Sequence, residues 1–207
     1  ADSNEDELRR NIAEHLDSKI TLIEALTSQR KYAEAETEVE KAIRYVCKQD
    51  GKVEKWIVYR LALERGLIQR MLNRFPETIK SYRKLLADVE ADNELRIDPA
   101  LEGRVWWELA LTLHESLDYP AAAVAYENAL ANHSPEDPNH YNILLSLGDC
   151  SLGTRGLAKA NDYYQKVFAS SHALDLDKLK ARVGMAKVLY ELRDYRQASS
   201  TFETLLT

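Results

Sequence analysis

Residues 106–130 read Trp-Trp-Glu-Leu-Ala-Leu-Thr-Leu-His-Glu-Ser-Leu-Asp-Tyr-Pro-Ala-Ala-Ala-Val-Ala-Tyr-Glu-Asn-Ala-Leu, and this stretch decides the fold. Trp106, Leu109, Ala110 and Leu113 mark one helix; Tyr119, Ala122, Tyr126 and Ala129 mark a second. The second set steps by 3, 4 and 3 residues, which keeps all four side chains on one side of a helix with 3.6 residues per turn.

The same frame returns along the chain. It reads Tyr32/Ala35/Val39/Ala42, Phe75/Thr78/Tyr82/Leu85, Tyr119/Ala122/Tyr126/Ala129, Leu157/Ala160/Tyr164/Val167 and Tyr195/Ala198/Phe202/Leu205. The frames begin 43, 44, 38 and 38 residues apart. A repeat of that period implies a solenoid, in which no unit buries its own apolar face and neighbours must cover it. Nine residues before each frame stand Ile23, Gly66, Ala110, Gly148 and Ala186, mostly small. A small residue there lets a first helix approach the second, so each repeat reads as a helix hairpin.

These residues resemble the tetratricopeptide repeat family, whose pattern places Trp, a Leu-Gly pair and Tyr on the first helix, and Ala, Phe/Tyr and Ala on the second. The resemblance spans roughly residues 8–207. It implies an all-α, right-handed superhelical solenoid of about five antiparallel hairpins. Approximate repeat bounds are 8–50, 51–94, 98–133, 137–173 and 176–207, one solenoid domain preceded by an acidic tail over 1–7 and belonging to a longer protein. Departures are visible: Thr78 replaces the usual Ala, Arg65 stands at a normally apolar place, and most copies lack a closing Pro. The units also exceed the family's commonest period of about 34 residues. In the first two, the excess falls within 42–55 and 86–104, read as helices extended by one or two turns, with Asp98 and Pro99 opening the third pair as cap and first helical residue.

Composition agrees. With 7 Gly and 5 Pro in 207 residues there is little room for long loops, and strict β alternation is absent. The net charge of −6 argues against nonspecific nucleic-acid binding, which needs a basic surface to displace counterions. No apolar run reaches bilayer length and no leader opens the chain, so no membrane insertion is expected and a cytoplasmic place is favoured; a periplasmic or organellar one would need a trimmed leader. Cys47 and Cys150 are expected as buried, reduced packing residues.

A search for catalytic groups returns none. His114-Glu115 lacks the second His of a helical zinc pair, because Asp118 stands four residues on. Gly153-Thr154-Arg155-Gly156 lacks the Lys-Ser/Thr of a phosphate loop and reads as the tight turn of the fourth hairpin. His133, Asp137 and His140 fall in a turn-rich connector with two prolines, where caps account for them. Neither enzyme activity, metal nor cofactor is expected.

The resemblance implies that first helices line the concave face. Counting from the small position gives Asp17, Arg60, Arg104, Asn142 and Lys180 in one row; Ile20, Leu63, Trp107, Leu145 and Val183 in a second; and Thr27, Arg70, His114, Leu152 and Tyr190 in a third. The candidate binding residues are Arg60, Arg70, Arg104, Trp107, His114, Asn142, Lys180 and Tyr190: an apolar floor beside a basic strip, suited to a protein segment with hydrophobic and acidic residues. The family's clamp for an acidic chaperone terminus is not expected, since Leu63, Leu67, Trp107 and Leu111 occupy the places of its Lys and Asn. The expected function is a non-catalytic scaffold binding a peptide or partner subunit. The alternatives are a sensor domain of a larger transcriptional regulator or ATPase, and a scaffold in an export machine.

Overall fold

The computed structural model describes residues 2–49, 51–91 and 99–205. These form ten α-helices, with no strand among the described residues. In chain order they are α1 (Asp2–Ser28), α2 (Tyr32–Cys47), α3 (Lys55–Met71), α4 (Phe75–Ala91), α5 (Pro99–Glu115), α6 (Tyr119–Ala131), α7 (Pro138–Gly153), α8 (Leu157–Ala169), α9 (Asp175–Glu191) and α10 (Tyr195–Glu203). The first residue of every frame is the first residue of a second helix. The fold class read from the repeat is therefore the observed one. Asp2 to Glu7, read as a tail, lie in the first turns of α1.

The hairpins share one turn. Arg30, Asn73, Leu117, Arg155 and Arg193, each two residues before a frame, have φ between 59° and 65°. The amide after each donates five residues back, as in Lys31 to Leu26, Arg74 to Gln69, Asp118 to Leu113, Gly156 to Ser151 and Asp194 to Leu189, at 2.8–3.0 Å. Together with the three-residue bond from the left-handed residue itself, this is a Schellman ending that satisfies carbonyls at the end of the first helix. The residue closing it then precedes the second helix, and where it is Asp its carboxylate caps: Asp118 accepts from Ala121 N and Asp194 from Gln197 N. The Gly153–Gly156 stretch is the turn of the fourth hairpin, as expected, but its glycines do not carry the left-handed position. Gly153 still belongs to α7, Gly156 has φ −80°, and Arg155 carries the left-handed conformation.

A left-handed side-chain-bearing residue costs about 1–2 kcal/mol that glycine avoids. Leu117 is 70 % exposed, so little packing is lost with its side chain. Leu117→Gly is expected to raise stability by about 0.5–1 kcal/mol, after the larger unfolded-state entropy of glycine is allowed for. A melting temperature unchanged or lowered would show that the turn is not strained.

Two compact units form, residues 1–97 and 98–207. In the first, α2 packs on both α1 and α3, α4 packs on α3, and α1 and α3 also touch. Ile12, Leu16, Ile20 and Ile23 of α1 meet Ala35, Val39 and Ala42 of α2 and Ile57, Leu61 and Ile68 of α3 in one core. The spacing that aligned these residues in sequence is the spacing that buries them. Thr78, the departure from Ala, is fully buried, and its hydroxyl donates to Arg74 O at 2.8 Å, which removes the penalty of an unpaired polar group. The excess length of the first repeat divides between one added turn of α2 and the connector after it. The expected cap at Asp98 lies outside the described residues.

In the second unit, α6 packs on α5 and α7, α8 on α7 and α9, and α10 on α9, while α7 and α9 touch directly. Tyr164 of α8 shows how the stack closes. A Cβ added at Gly148 of α7 would lie 2.4 Å from its ring, and one added at Gly184 of α9 would lie 2.5 Å from it. The ring thus fills the space between two consecutive first helices, each of which lacks a side chain where it touches. Its hydroxyl donates to Asp149 Oδ1 at 2.7 Å. Gly66 meets Tyr82 in the same way at 2.4 Å, so the small-residue position and the bulky frame position are partners within a hairpin.

Candidate first-helix binding face and its pocket

The packed helices sort the sequence-derived rows into buried and exposed members. In the first unit, Arg60 bridges back to α1, its guanidinium 3.3 Å from Asp17 and 2.9 Å from Glu24. Its charge is matched by two carboxylates. Arg70 is only 8 % exposed. Ile20 and Leu63 of the floor row are fully buried and serve as packing. Beside them Glu38 holds Lys19 at 2.9 Å and Lys41 at 2.7 Å, and these hydrogen bonds bring its carboxyl down to about 2.

In the second unit Arg104 is exposed and Trp107 half-buried, its ring edge-on to His133 with centroids 6.1 Å apart. Asn142 is half-buried and its carbonyl accepts from Ser146. Lys180 is exposed and lies 3.2 Å from Asp177, itself buried. Tyr190 is 58 % exposed and meets Tyr195 across its hairpin at 5.3 Å. Leu145 is buried and Val183 half-buried.

His114 and Leu152, both from the third row, come together in an open pocket of about 460 Å³. The ends of three first helices build it: His114 from α5, Asp149, Leu152 and Gly153 from α7, and Glu191 from α9, with Tyr119 from the start of α6 and Arg155 from a hairpin turn. Tyr119 packs its ring on Gly153, where a Cβ would come within 2.7 Å, and stands edge-on to His114 at 5.4 Å. Sequence reasoning missed Asp149, Tyr119, Arg155 and Glu191. The recurring turn two residues before each frame is the signal that could have located Arg155.

Beneath the pocket the Cys150 thiol lies 3.7 Å from His114 Nδ1, and the Tyr126 hydroxyl 3.4 Å from the same atom. Burial pushes the Cys150 thiol up to about 12, helped by the Asp149 carboxylate. Burial likewise raises Tyr164, reinforced by its bond to Asp149. A thiol held protonated is a poor nucleophile. Because both values are raised, their contribution to stability is complete below the unfolded value near 9 for the thiol and is lost as pH climbs towards 12. Thermal melts are expected to show falling stability above pH 9 and a shallower fall in Cys150→Ala; equal slopes would contradict the assignment. Cys47, expected to be buried, is corrected: it is exposed, because five residues beyond Ala42 it turns away from the Ala35, Val39 and Ala42 stripe that α2 buries, while Ile43, Tyr45 and Val46 still pack against the core.

The connector histidines bond locally. His133 Nδ1 is 2.8 Å from Ala129 O, His140 Nδ1 is 2.9 Å from His133 O, and Asp137 caps α7 by accepting from Asn139 N. Among the described residues no cluster of His, Cys, Asp and Glu could hold a metal ion. No helix there is long and apolar enough to cross a membrane.

Residues 108–173 match the tetratricopeptide repeat. Solved structures align over nearly all of the chain. BtubC (BKLC) from P. vanneervenii is 14 % identical with a TM-score of 0.74, covering 98 % of this chain and 86 % of its own. MamA from Desulfovibrio magneticus RS-1 is 14 % identical with a TM-score of 0.68, covering 92 % and 93 %. PilF of Pseudomonas aeruginosa is 18 % identical with a TM-score of 0.67, covering 95 % and 77 %. No curated protein matches the sequence. At such identities the likeness is one of fold, and it agrees with the hairpin, the small-to-bulky contact and the repeat already described. The chain has the tetratricopeptide-repeat fold, and residues 108–173 carry the repeat's own sequence signature.

Proposed function

We propose that this protein is a non-catalytic interaction scaffold that binds a segment of another protein on the face of its first helices. The observation that carries the reading is the division of labour along each first helix. In the second unit Leu109, Ala110, Leu113, Ala181, Ala186 and Val188 are buried in the stack. Arg104, Lys180 and Tyr190 are exposed on those same helices, and Trp107, His114 and Asn142 are half-buried. A preformed face of this kind binds without paying to order itself, and aromatic anchors such as Trp107 and Tyr190 are the side chains that dominate binding energy. The buried, protonated Cys150 and the local bonding of the connector histidines offer no reacting group to set against this reading.

The test uses a photo-crosslinking amino acid at position 190 on α9 and, as control, at Val124 on α6, which is equally exposed at 58 %. Adducts with a cellular protein are expected at 190 and not at 124. Adducts at 124 alone would move the binding surface to the second helices.

A further inference from the structure

We propose that the pocket at the ends of α5, α7 and α9 receives a cationic side chain, Lys or Arg, from the bound segment. This rests on the scaffold reading above, and it reverses the sign of the acidic partner residue that the sequence alone led one to expect. The cations counted in that expectation are largely used within the chain: Arg60 lies between Asp17 and Glu24, Lys180 lies on Asp177, and Arg70 is buried. In the pocket the balance is opposite. Asp149 and Glu191 are both exposed there, on consecutive first helices, against the single cation Arg155.

Backbone adds to the same sign. His114, Gly153 and Glu191 all stand in the last turn of their helices, whose carbonyl ends carry partial negative charge that favours cations. Asp149 is held in place, because the Tyr164 hydroxyl donates to Oδ1 at 2.7 Å and leaves Oδ2 for a ligand. Glu191 has no ion-pair or hydrogen-bond partner among the described residues, so its carboxylate is available. On the α5 side the pocket is aromatic: Tyr119 and His114, edge-on at 5.4 Å, can lie along the methylene stem of a Lys or under a guanidinium. Leu152 adds an apolar side chain to the lining, and about 460 Å³ is ample for one long side chain with its water.

The experiment titrates N-acetyl-lysine methylamide, N-acetyl-arginine methylamide and N-acetyl-glutamate methylamide into the full ¹⁵N-labelled chain and follows the backbone amides. The two cationic probes are expected to shift Leu152, Gly153 and Arg155 saturably. Glu191→Gln, at an exposed position, is expected to weaken them at least about fivefold, and Arg155→Gln to strengthen them, since each changes one charge at close range. The glutamate probe is expected to leave those amides in place. No saturable shift with either cation, an equal response to glutamate, or an unaltered affinity in Glu191→Gln would overturn the proposal. The probes need no partner protein. A protein adduct at position 190 with silent probes defeats the pocket assignment alone, whereas responsive probes with no adduct defeat the scaffold reading and leave the cation site standing.

Discussion

Tyr164→Ala is expected to cost about 3–5 kcal/mol, the range for removing a large buried aromatic where the surroundings cannot close in. Tyr164 is 1 % exposed and wedged between Gly148 of α7 and Gly184 of α9, so its loss opens a space that two helix backbones border. Tyr164→Phe keeps the ring and gives up only the hydroxyl's bond to Asp149, which bonds to charged groups put at about 1.5–3 kcal/mol. Repeat proteins couple through nearest neighbours, so hydrogen exchange is expected to accelerate in α7 to α10 while the core of α1, α2 and α3 keeps its protection. Uniform loss of protection, or a cost for Ala no greater than for Phe, would show that the ring is not the contact that joins the hairpins.

The second large effect is the opposite change at the same contact. Gly184→Val adds a branched side chain where even a Cβ would stand 2.5 Å from the Tyr164 ring. Overpacking of this kind costs about 1–3 kcal/mol or more when backbone must move, and here the obstruction is a ring held on its far side by α7. Chemical denaturation of Gly184→Val is expected to fall near the upper end of that range. In the double variant Gly184→Val/Tyr164→Ala the valine occupies part of the space the ring vacates, so the combined cost is expected to be smaller than the sum. Strict additivity would mean that the glycine is required for some reason other than the ring.

Half of this contact is legible in the sequence alone. The frame residues Tyr32, Phe75, Tyr119, Leu157 and Tyr195 are the first residues of their helices, because the 3, 4, 3 step starts where the helix can first present a face to its partner. The pairing of Gly148 with Tyr164 was legible as a small residue and a bulky one at fixed offset. Its second partner, Gly184, was not, since it belongs to the next hairpin and lies two residues off the expected small position.

The turns were hidden for a different reason. Their left-handed positions hold Arg30, Asn73, Leu117, Arg155 and Arg193, so no glycine marks them, and the glycines that do occur nearby draw attention to the wrong residues. Of the candidate site, the side chains on the first helices could be enumerated by register, but their company could not. Arg60 reads as a free cation until Asp17 and Glu24 are placed beside it by the packing of α1 on α3. The pocket escapes for the same reason: its members come from four helices and one turn, and only their packing decides that Asp149, Glu191 and His114 look into one space.

The most direct test of the account separates the surface that binds from the spine that folds, by measuring thermal melting and crosslinked-partner yield together for Tyr190→Ala and Ala122→Leu. Tyr190 is 58 % exposed and Ala122 is fully buried. Tyr190→Ala is expected to melt within about 1 kcal/mol of the parent, the worth of one aromatic pair, yet to lose partner yield at a crosslinker placed on α5. Ala122→Leu is expected to lose stability by about 1–3 kcal/mol. If the two variants lost helicity together, or if Tyr190→Ala kept its full yield, the first-helix face would not be the binding surface.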